Sequence, residues 1–564
     1  MSIIGTIHED VTTDILGVIG SWQWLVTFVA TALSVPYMLN QYEDMFLLAP
    51  PKSVECDLTD LSITNSSICT FRVTNRTEET RCTKWHLKFL WVIWIKKSWL
   101  FFCDEKLKVL STTIICRLGV IFGSIIFGLI SDSFGRKRAM TINLFADVGF
   151  RLTLTFCDSE SWFLLLIFLR SMFSSANAYM TIILICEISS NCWRTRLETI
   201  VSMPRLLAIV CLVPLANSGP NMETFNFISC VYSAFLLILL RWTPESPQWL
   251  LYNQKISEAE TLLRKAAKMN GISLCNDFKI RPVDHRAYDC LDKSWTCMTI
   301  FTTHNVKILS GATVFFWCLY NFLISSLYLR IHSSSEQYTL LKLSSLIIAL
   351  GILNFGVAQR IKLKCLLTLN IGAIGIFCGM LIGIKWSNST TNTLTCMALA
   401  TSVIAYGLAL NITPRLFAIN IRSTIFGSCH SSGQLGVIIC YLIVMFKVMN
   451  SFTLMVVETV IVVCLTILCH FCPDVDGREL PDVLEDMDYF SELSKPLRWA
   501  TQKTNSPSRE EVEIRVHSFG SAGQNLSNDR SDERLPARRI GHLSKWPLLR
   551  RLTNNFLRTF RKKN

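Results

Sequence analysis

Apolar residues fall into long runs along this chain, and polar residues collect in the short stretches between them. A helix needs about 20 apolar residues to cross the hydrocarbon core of a bilayer. Windows of that kind occupy 15–36, 109–130, 139–157, 161–186, 199–217, 224–241, 308–329, 339–358, 363–384, 393–413, 423–446 and 452–471. They predict twelve transmembrane helices, numbered here as spans one to twelve. Six precede the polar segment 242–307 and six follow it. The spacing predicts an all-α membrane protein of two pseudo-symmetric six-helix bundles, with a site at their interface near the midplane. The chain then divides into an N-terminus 1–14, a first bundle 15–241, a linker 242–307, a second bundle 308–471 and a tail 472–564.

Composition agrees. The 564 residues are 51% hydrophobic and 17% charged, whereas a soluble chain carries about 25% charge. No basic n-region precedes span one, so no cleavable signal peptide is expected. The net charge is +13, and its placement matters more than its size. The basic stretches 135–138, 194–196, 243–307, 359–364 and the tail share one side if spans alternate, while 158–160 and 218–223 carry no Lys or Arg. This asymmetry places both termini in the cytoplasm. Nucleic acid is not an expected partner. No histidine pair has metal-ligand spacing and no glycine loop would cradle a phosphate, so neither an enzyme, a metal nor a cofactor is expected.

The opposite side has its own chemistry. Residues 44–108 form one long loop holding Cys56, Cys69, Cys82 and Cys103. Four cysteines in an exposed segment suit two disulfides of unreadable pairing, or free thiols. Asn65 and Asn75 lie in N-x-S/T acceptors of the same loop, and Asn388 in another between spans nine and ten. All three fall on the expected outer face, consistent with a plasma-membrane glycoprotein. Most other cysteines lie in spans and pack as small apolar residues.

In the linker, 256–271 offers Ser257 as N-cap, apolar residues at helical spacing and Gly271 as a stop. The stretch 500–533 has a disordered composition. The end of the tail is basic, with interleaved Trp546, Leu548, Leu549, Phe556 and Phe560. It suits contact with anionic lipid as well as a solvated tail.

Between spans two and three the sequence reads GLISDSFGRKRAM, residues 128–140. Gly128, Asp132, Gly135, Arg136 and Lys137 resemble the loop signature of the major facilitator superfamily. RWTPESPQWLLYNQK (241–255), with Pro244, Glu245, Ser246 and Pro247, resembles a segment shared by sugar porters and organic ion transporters, with Gln248 replacing arginine. CPDVDGRELPDVLEDMD (472–488) resembles the ending of organic ion transporters. The long cysteine-bearing loop is similar to that of the organic cation, anion and carnitine transporters, solute carrier family 22. The resemblance runs from about residue 10 to 490 and implies transport of small organic ions or zwitterions by alternating access. A receptor-like descendant that binds without turnover, and a sugar facilitator, are the alternatives.

Physically, Gly135 permits a turn at positive φ, and Asp132 beside it can face a helix N-terminus or an arginine. The resemblance implies a latch, in which the loop acid holds span eleven and closes the cytoplasmic gate. Arg422 is then the matching cation, and Glu187, Arg194 and Arg196 complete the network. The plainer reading is that Arg136, Lys137 and Arg138 only set topology. Gly119, Gly123 and Gly128 on span two suggest close packing on span eleven, which has Gly427, Gly433 and Gly436.

The second half departs from the pattern. VAQRIKLKC (357–365) lacks the loop acid and glycine, and in RLFAINIR (415–422) Arg415 replaces a glutamate and Ala418 a proline. Arg360, Lys362 and Lys364 then face Arg415 and Arg422. Like charges repel by about 1 kcal/mol per close pair at high dielectric, so the sequence predicts an asymmetric gate leaning inward-open. Asp474, Asp476 and Glu479 are the acids that could offset this. Span four has Arg170 but Ser174 in place of a glycine, and span seven has Ile324, Ser325 and Ser326 in place of Y-Y-G.

Two positions where the resembling carriers hold a charge are neutral here: Gln434 on span eleven and Gly351 on span eight. Charges at membrane depth are functional candidates. Asp147 and Arg151, at i,i+4, suit each other. Glu458 lies on span twelve. Arg117 on span two has no local partner in the sequence and is the candidate for a substrate carboxylate, with interior pairing to another helix as the plainer reading. Trp317, Tyr320 and Gln434 complete the candidate substrate-binding set.

The topology is checked by glycosidase treatment. It should raise the gel mobility of the wild-type protein and leave an Asn65/Asn75/Asn388→Gln variant unmoved.

Overall fold

A computed structural model describes residues 15–47, 106–274 and 304–476 with breaks at 158, 218–221, 333–338 and 384–386, together with a few shorter stretches. All of it lies in one unit, Met1–Ser518. Each hydropathy window contains a helix. Spans one to three are Ser21–Leu47, Lys106–Phe134 and Arg136–Thr155. Span four is Glu160–Ser174 continued by Asn177–Ile188. Spans five to seven are Asn191–Asn217, Met222–Leu239 and His304–His332. Spans eight to twelve are Thr339–Val357, Leu363–Gly383, Asn388–Ile412, Arg422–Met445 and Ser451–Phe471. Among the described residues, seven helices are long and apolar enough to cross a membrane on composition alone. Span three is not one of them, because it carries Arg136, Lys137, Arg138, Asp147 and Arg151. Phe145, Ile352 and Val463 are more than half exposed, as side chains facing hydrocarbon are.

The two halves meet along span two against span eleven and span five against spans eight and ten. Close approach needs small residues, and their assignment differs from the expectation. A Cβ at Gly119 or Gly123 would run into the carbonyls of Phe168 and Met172 on span four, so these two pack inside the first half. Only Gly128 faces span eleven, where a Cβ would lie 2.7 Å from the Ser423 carbonyl. Gly427 answers it against the Ser124 carbonyl of span two, while Gly433 and Gly436 press on Asn321 and Cys318 of span seven. One glycine ladder is thus split between static contacts and the contact between halves.

In the 44–108 loop, Ser53–Cys56 pairs antiparallel with Trp85–Lys88, and Ile63–Ser66 pairs with Thr70–Val73, which also pairs with Thr80–Arg81. Cys69, Cys82, Cys103 and Asn75 lie outside the described residues, as do the side chains of Cys56 and Asn65, the 500–533 stretch and the basic tail end. Asn388 is exposed at the start of span ten.

The linker forms two short helices, Pro247–Tyr252 and Ile256–Met269. The second starts two residues earlier than its sequence suggests. Lys255 is the N-cap and Ser257 makes no cap bond. Ala259, Leu263, Ala266 and Ala267 are buried. Asn270 bonds the Leu16 carbonyl, the Gln23 side chain and the Trp22 N–H, which moors the linker to the start of span one.

Candidate functional site: a charged gate and a midplane contact

At the end of the bundle that carries the basic loops, the turn between spans two and three is built around Gly135, whose φ is +105°. An L side chain is strained there. A Cβ would also meet the Glu245 carboxylate at 2.5 Å. That carboxylate is in close because it caps span three: Glu245 Oε1 accepts from the Arg136 N–H at 2.7 Å and the Lys137 N–H at 3.2 Å. Burial pushes the Glu245 carboxyl above its usual range, against the lowering pull of these N–H groups and of Arg136. Ser246 caps the next helix through Trp249 N–H, Pro247 occupies its first turn, and Trp249 Nε1 donates to the Asp132 carbonyl at 2.8 Å. The Pro244–Pro247 motif is therefore the clamp that fixes the turn. Gln248, where the resembling segment has arginine, is buried with neither end of its amide bonded.

Asp132 reaches across to the other half. Its carboxylate accepts from the backbone N–H of Ser423 (3.2 Å) and of Thr424 (2.7 Å), and from Thr424 Oγ1 (2.7 Å). These are orphan donors at the start of span eleven, where a helix favours negative charge. The expected pairing of Asp132 with Arg422 is thus corrected. Asp132 holds the helix end itself, with Arg136 alongside at 3.5 Å.

Arg422 goes to Glu187 instead. Its Nη1 donates to Glu187 Oε1 at 2.8 Å, while Arg136 donates to the same carboxylate through Nη2 (2.9 Å) and Nε (3.1 Å). All three side chains are 0% exposed. Remaining donors reach carbonyls: Arg136 to Ile419, Arg422 to Phe417 and Pro481. Arg194 caps the end of span four through the Cys186 and Ser189 carbonyls, and Arg196 lies over the Trp193 ring.

The second half is not bare. Arg415 donates to Glu198 on span five at 2.5 Å, to Thr195 at 3.0 Å and to Asp476 at 3.3 Å. Asp476 also accepts from the Leu363 N–H and so caps span nine. Lys362 meets Asp474 at 2.5 Å, and Lys364 donates to the His470 carbonyl at 3.0 Å. Burial works against Asp474, but the hydrogen bond and charge of Lys362 hold its carboxyl below the usual range. The expected like-charge cluster is therefore corrected. Acids from span five and from beyond span twelve neutralise it. In this conformation the two halves are latched together at this end and Ile425 is buried. Glu479 lies outside the described residues.

Deeper in, Arg117 Nη1 donates to Gln434 Oε1 at 3.1 Å. Gln434 lies twelve residues into span eleven, about 18 Å along the helix and so near the midplane. Arg117 thus pairs with another helix, the plainer of its two readings, and that helix lies across the interface. One turn nearer the gate, Tyr37 Oη and His430 Nε2 lie 2.5 Å apart, joining span one to span eleven. Rings continue from Tyr179 and Phe426 to Trp317 and Tyr406. Trp317 Nε1 donates to Thr413, and Tyr320 Oη to the Ser402 carbonyl. These recorded bonds stay inside the second half. Asp147 and Arg151 pair at 2.8 Å, and Arg151 also donates to Asn40. Arg170 donates to Asn226. Glu458 holds Arg330 and Ser326.

A family model described as sugar (and other) transporter matches residues 16–486. The chain belongs to that family. It is 24% identical over 411 residues to organic cation/carnitine transporter 2 of Mus musculus, covering 70% of this chain and 71% of that one. It is 22% identical over 402 residues to solute carrier family 22 member 1 of Bos taurus, covering 70% of each. Among solved structures, the proton:xylose symporter XylE bound to 6-bromo-6-deoxy-D-glucose matches with a TM-score of 0.57 at 13% identity, over 82% of this chain and 98% of that one. A partially occluded inward-open conformation of XylE from E. coli gives 0.51 at 14%, over 82% and 100%. The likeness shows the major facilitator fold. This member is a multi-pass transmembrane transporter rather than an enzyme.

Sequence reasoning missed Glu198, Tyr37 and His430. Glu198 carries no motif, though an acid one turn after Arg194 is a signal of the charge-depth kind. Tyr37 and His430 are 393 positions apart, and nothing local links them.

Breaking a buried pair by removing one partner costs about 3–5 kcal/mol, enough to move a two-state ratio by roughly two to three and a half orders of magnitude. Arg415→Glu should therefore raise the labelling of an Ile425→Cys reporter from the basic end. The exchange Arg415→Glu with Glu198→Arg should restore protection.

Proposed function

We propose that this transporter carries small organic ions or zwitterions bearing a carboxylate across the plasma membrane by alternating access. The basic end faces the cytoplasm in this reading, which the distribution of Lys and Arg supports. The observation that carries it is the Arg117–Gln434 contact at the interface of the halves. It sets a guanidinium against a neutral amide that a carboxylate can displace, because a charge-assisted bond is about twice as strong as a neutral one. Two buried acids on spans three and twelve are engaged within their own halves, Asp147 by Arg151 and Glu458 by Arg330. The rings of Tyr37, Tyr179, Trp317 and Phe426 offer faces for the apolar or cationic part of such a substrate. Organic cation/carnitine transporter 2 is named for a substrate of this kind.

Gly128, Asp132, Gly135, Arg136, Lys137, Glu187, Arg194, Arg415 and Arg422 form the cytoplasmic gate in this reading. Spans 15–241 and 308–471 are the rocking bodies, with 242–307 as the coupling linker. The outer loop is disulfide-linked and glycosylated, and the basic tail lies against anionic lipid. The receptor-like alternative rested on a broken second latch, and the Glu198–Arg415–Asp476 cluster removes that support.

Uptake of labelled carnitine, a labelled organic carboxylate and a labelled quaternary ammonium into expressing cells tests this. The carboxylate-bearing probes should accumulate above mock-transfected cells. Arg117→Gln should lower that uptake by about tenfold or more, as loss of a hydrogen bond to a charged group costs about 1.5–3 kcal/mol. Accumulation of the quaternary ammonium alone would overturn the carboxylate assignment.

A further inference from the structure

A cavity of about 350 Å³ lies away from the interface of the halves. It sits inside the second half at the basic end, between spans seven, nine, ten and twelve. Its walls are apolar: Leu309 and Phe316 from span seven, Leu367 from span nine, Ala409 and Ile412 from span ten, and Cys469 from span twelve. The volume is within the range of about 300–1,000 Å³ that small ligands occupy. At the rim, Ile308 and Phe471 are exposed, as apolar groups opening onto hydrocarbon are. Lys364 stands at the same rim, in the first turn of span nine. An apolar chamber with a lysine at its membrane-level mouth matches one kind of molecule, an acyl chain ending in a negative headgroup.

We propose that this cavity holds one acyl chain of an anionic phospholipid from the adjoining leaflet, with the lipid phosphate on Lys364. The inference rests on the proposed orientation, in which the basic end meets the cytoplasmic leaflet, where anionic lipids are concentrated. The inner wall explains what the lipid would do. Thr413 lines the cavity, donates to the Ala409 carbonyl and accepts from Trp317 Nε1. Thr413–Leu416 is also the 3-10 turn that carries Arg415. A chain filling the space braces this turn from behind. It couples the leaflet to both Trp317 and the Arg415–Glu198 latch.

The test is lipid retention by the full-length protein, reconstituted in vesicles of equal phosphatidylcholine and phosphatidylserine and then analysed by native mass spectrometry. Wild type should retain one phosphatidylserine through detergent washing. Lys364→Gln should retain it about fivefold less. Ala312→Phe, whose new ring enters the cavity, should lose it. Leu367→Phe is a second filling variant should Ala312→Phe not fold. Equal retention in wild type and both filling variants overturns the proposal. So does retention of phosphatidylcholine in equal measure, or recovery of a sterol or free fatty acid in its place. None of these readouts requires transport, so failure here is separable from failure of the carboxylate-transport reading.

Discussion

Glu187 is a carboxylate with no exposure, held by Arg136 from one half and Arg422 from the other. Taking such a group out of water costs several kcal/mol, and only good geometry and further hydrogen bonds repay it. Here the geometry is supplied from far apart in the chain. Arg136 is aimed by the Gly135 turn, which Glu245 and Trp249 clamp. Arg422 is aimed by the start of span eleven, which Asp132 caps. Opening would leave Glu187 with Arg136 of its own half and strip it of Arg422, so closure of this end adds the second cation to a buried carboxylate.

The pseudo-symmetry of the fold repeats this contact with the charges exchanged. At the end of span four the acid Glu187 meets the base Arg422 at the start of span eleven. At the end of span ten the base Arg415 meets the acid Glu198 near the start of span five. The clamps repeat as well. Glu245, after span six, caps span three, and Asp476, after span twelve, caps span nine. Electrostatics of a salt bridge do not depend on which partner carries which sign. A half that has lost its expected acid can keep its latch when a facing helix supplies one.

The twelve spans were legible because a bilayer demands long apolar runs, and hydropathy reports that directly. The Gly135 turn was legible too, since acid, glycine and base in a short polar stretch have few physical uses. Pairings across the interface were not. Sequence offered Asp476 as an offset to Arg415 but not Glu198, which lies 217 positions away. It joined Gly119 and Gly123 to Gly128 because one helical face looks continuous, although two different neighbours share it. Which helix would pair with Arg117 was hidden for the same reason, with Gln434 317 positions distant.

The account turns on Glu187 locking the basic end. A direct measurement is the distance between spin labels carried on noncanonical residues at position 138, exposed in the first turn of span three, and position 360, exposed in the turn before span nine, by double electron–electron resonance. Wild type should give a distribution dominated by a short, closed-gate distance. Glu187→Gln, which keeps the shape and removes the charge, should move most of the population to a longer one. An unchanged distribution in Glu187→Gln, or a wild type already dominated by the longer distance, would contradict it.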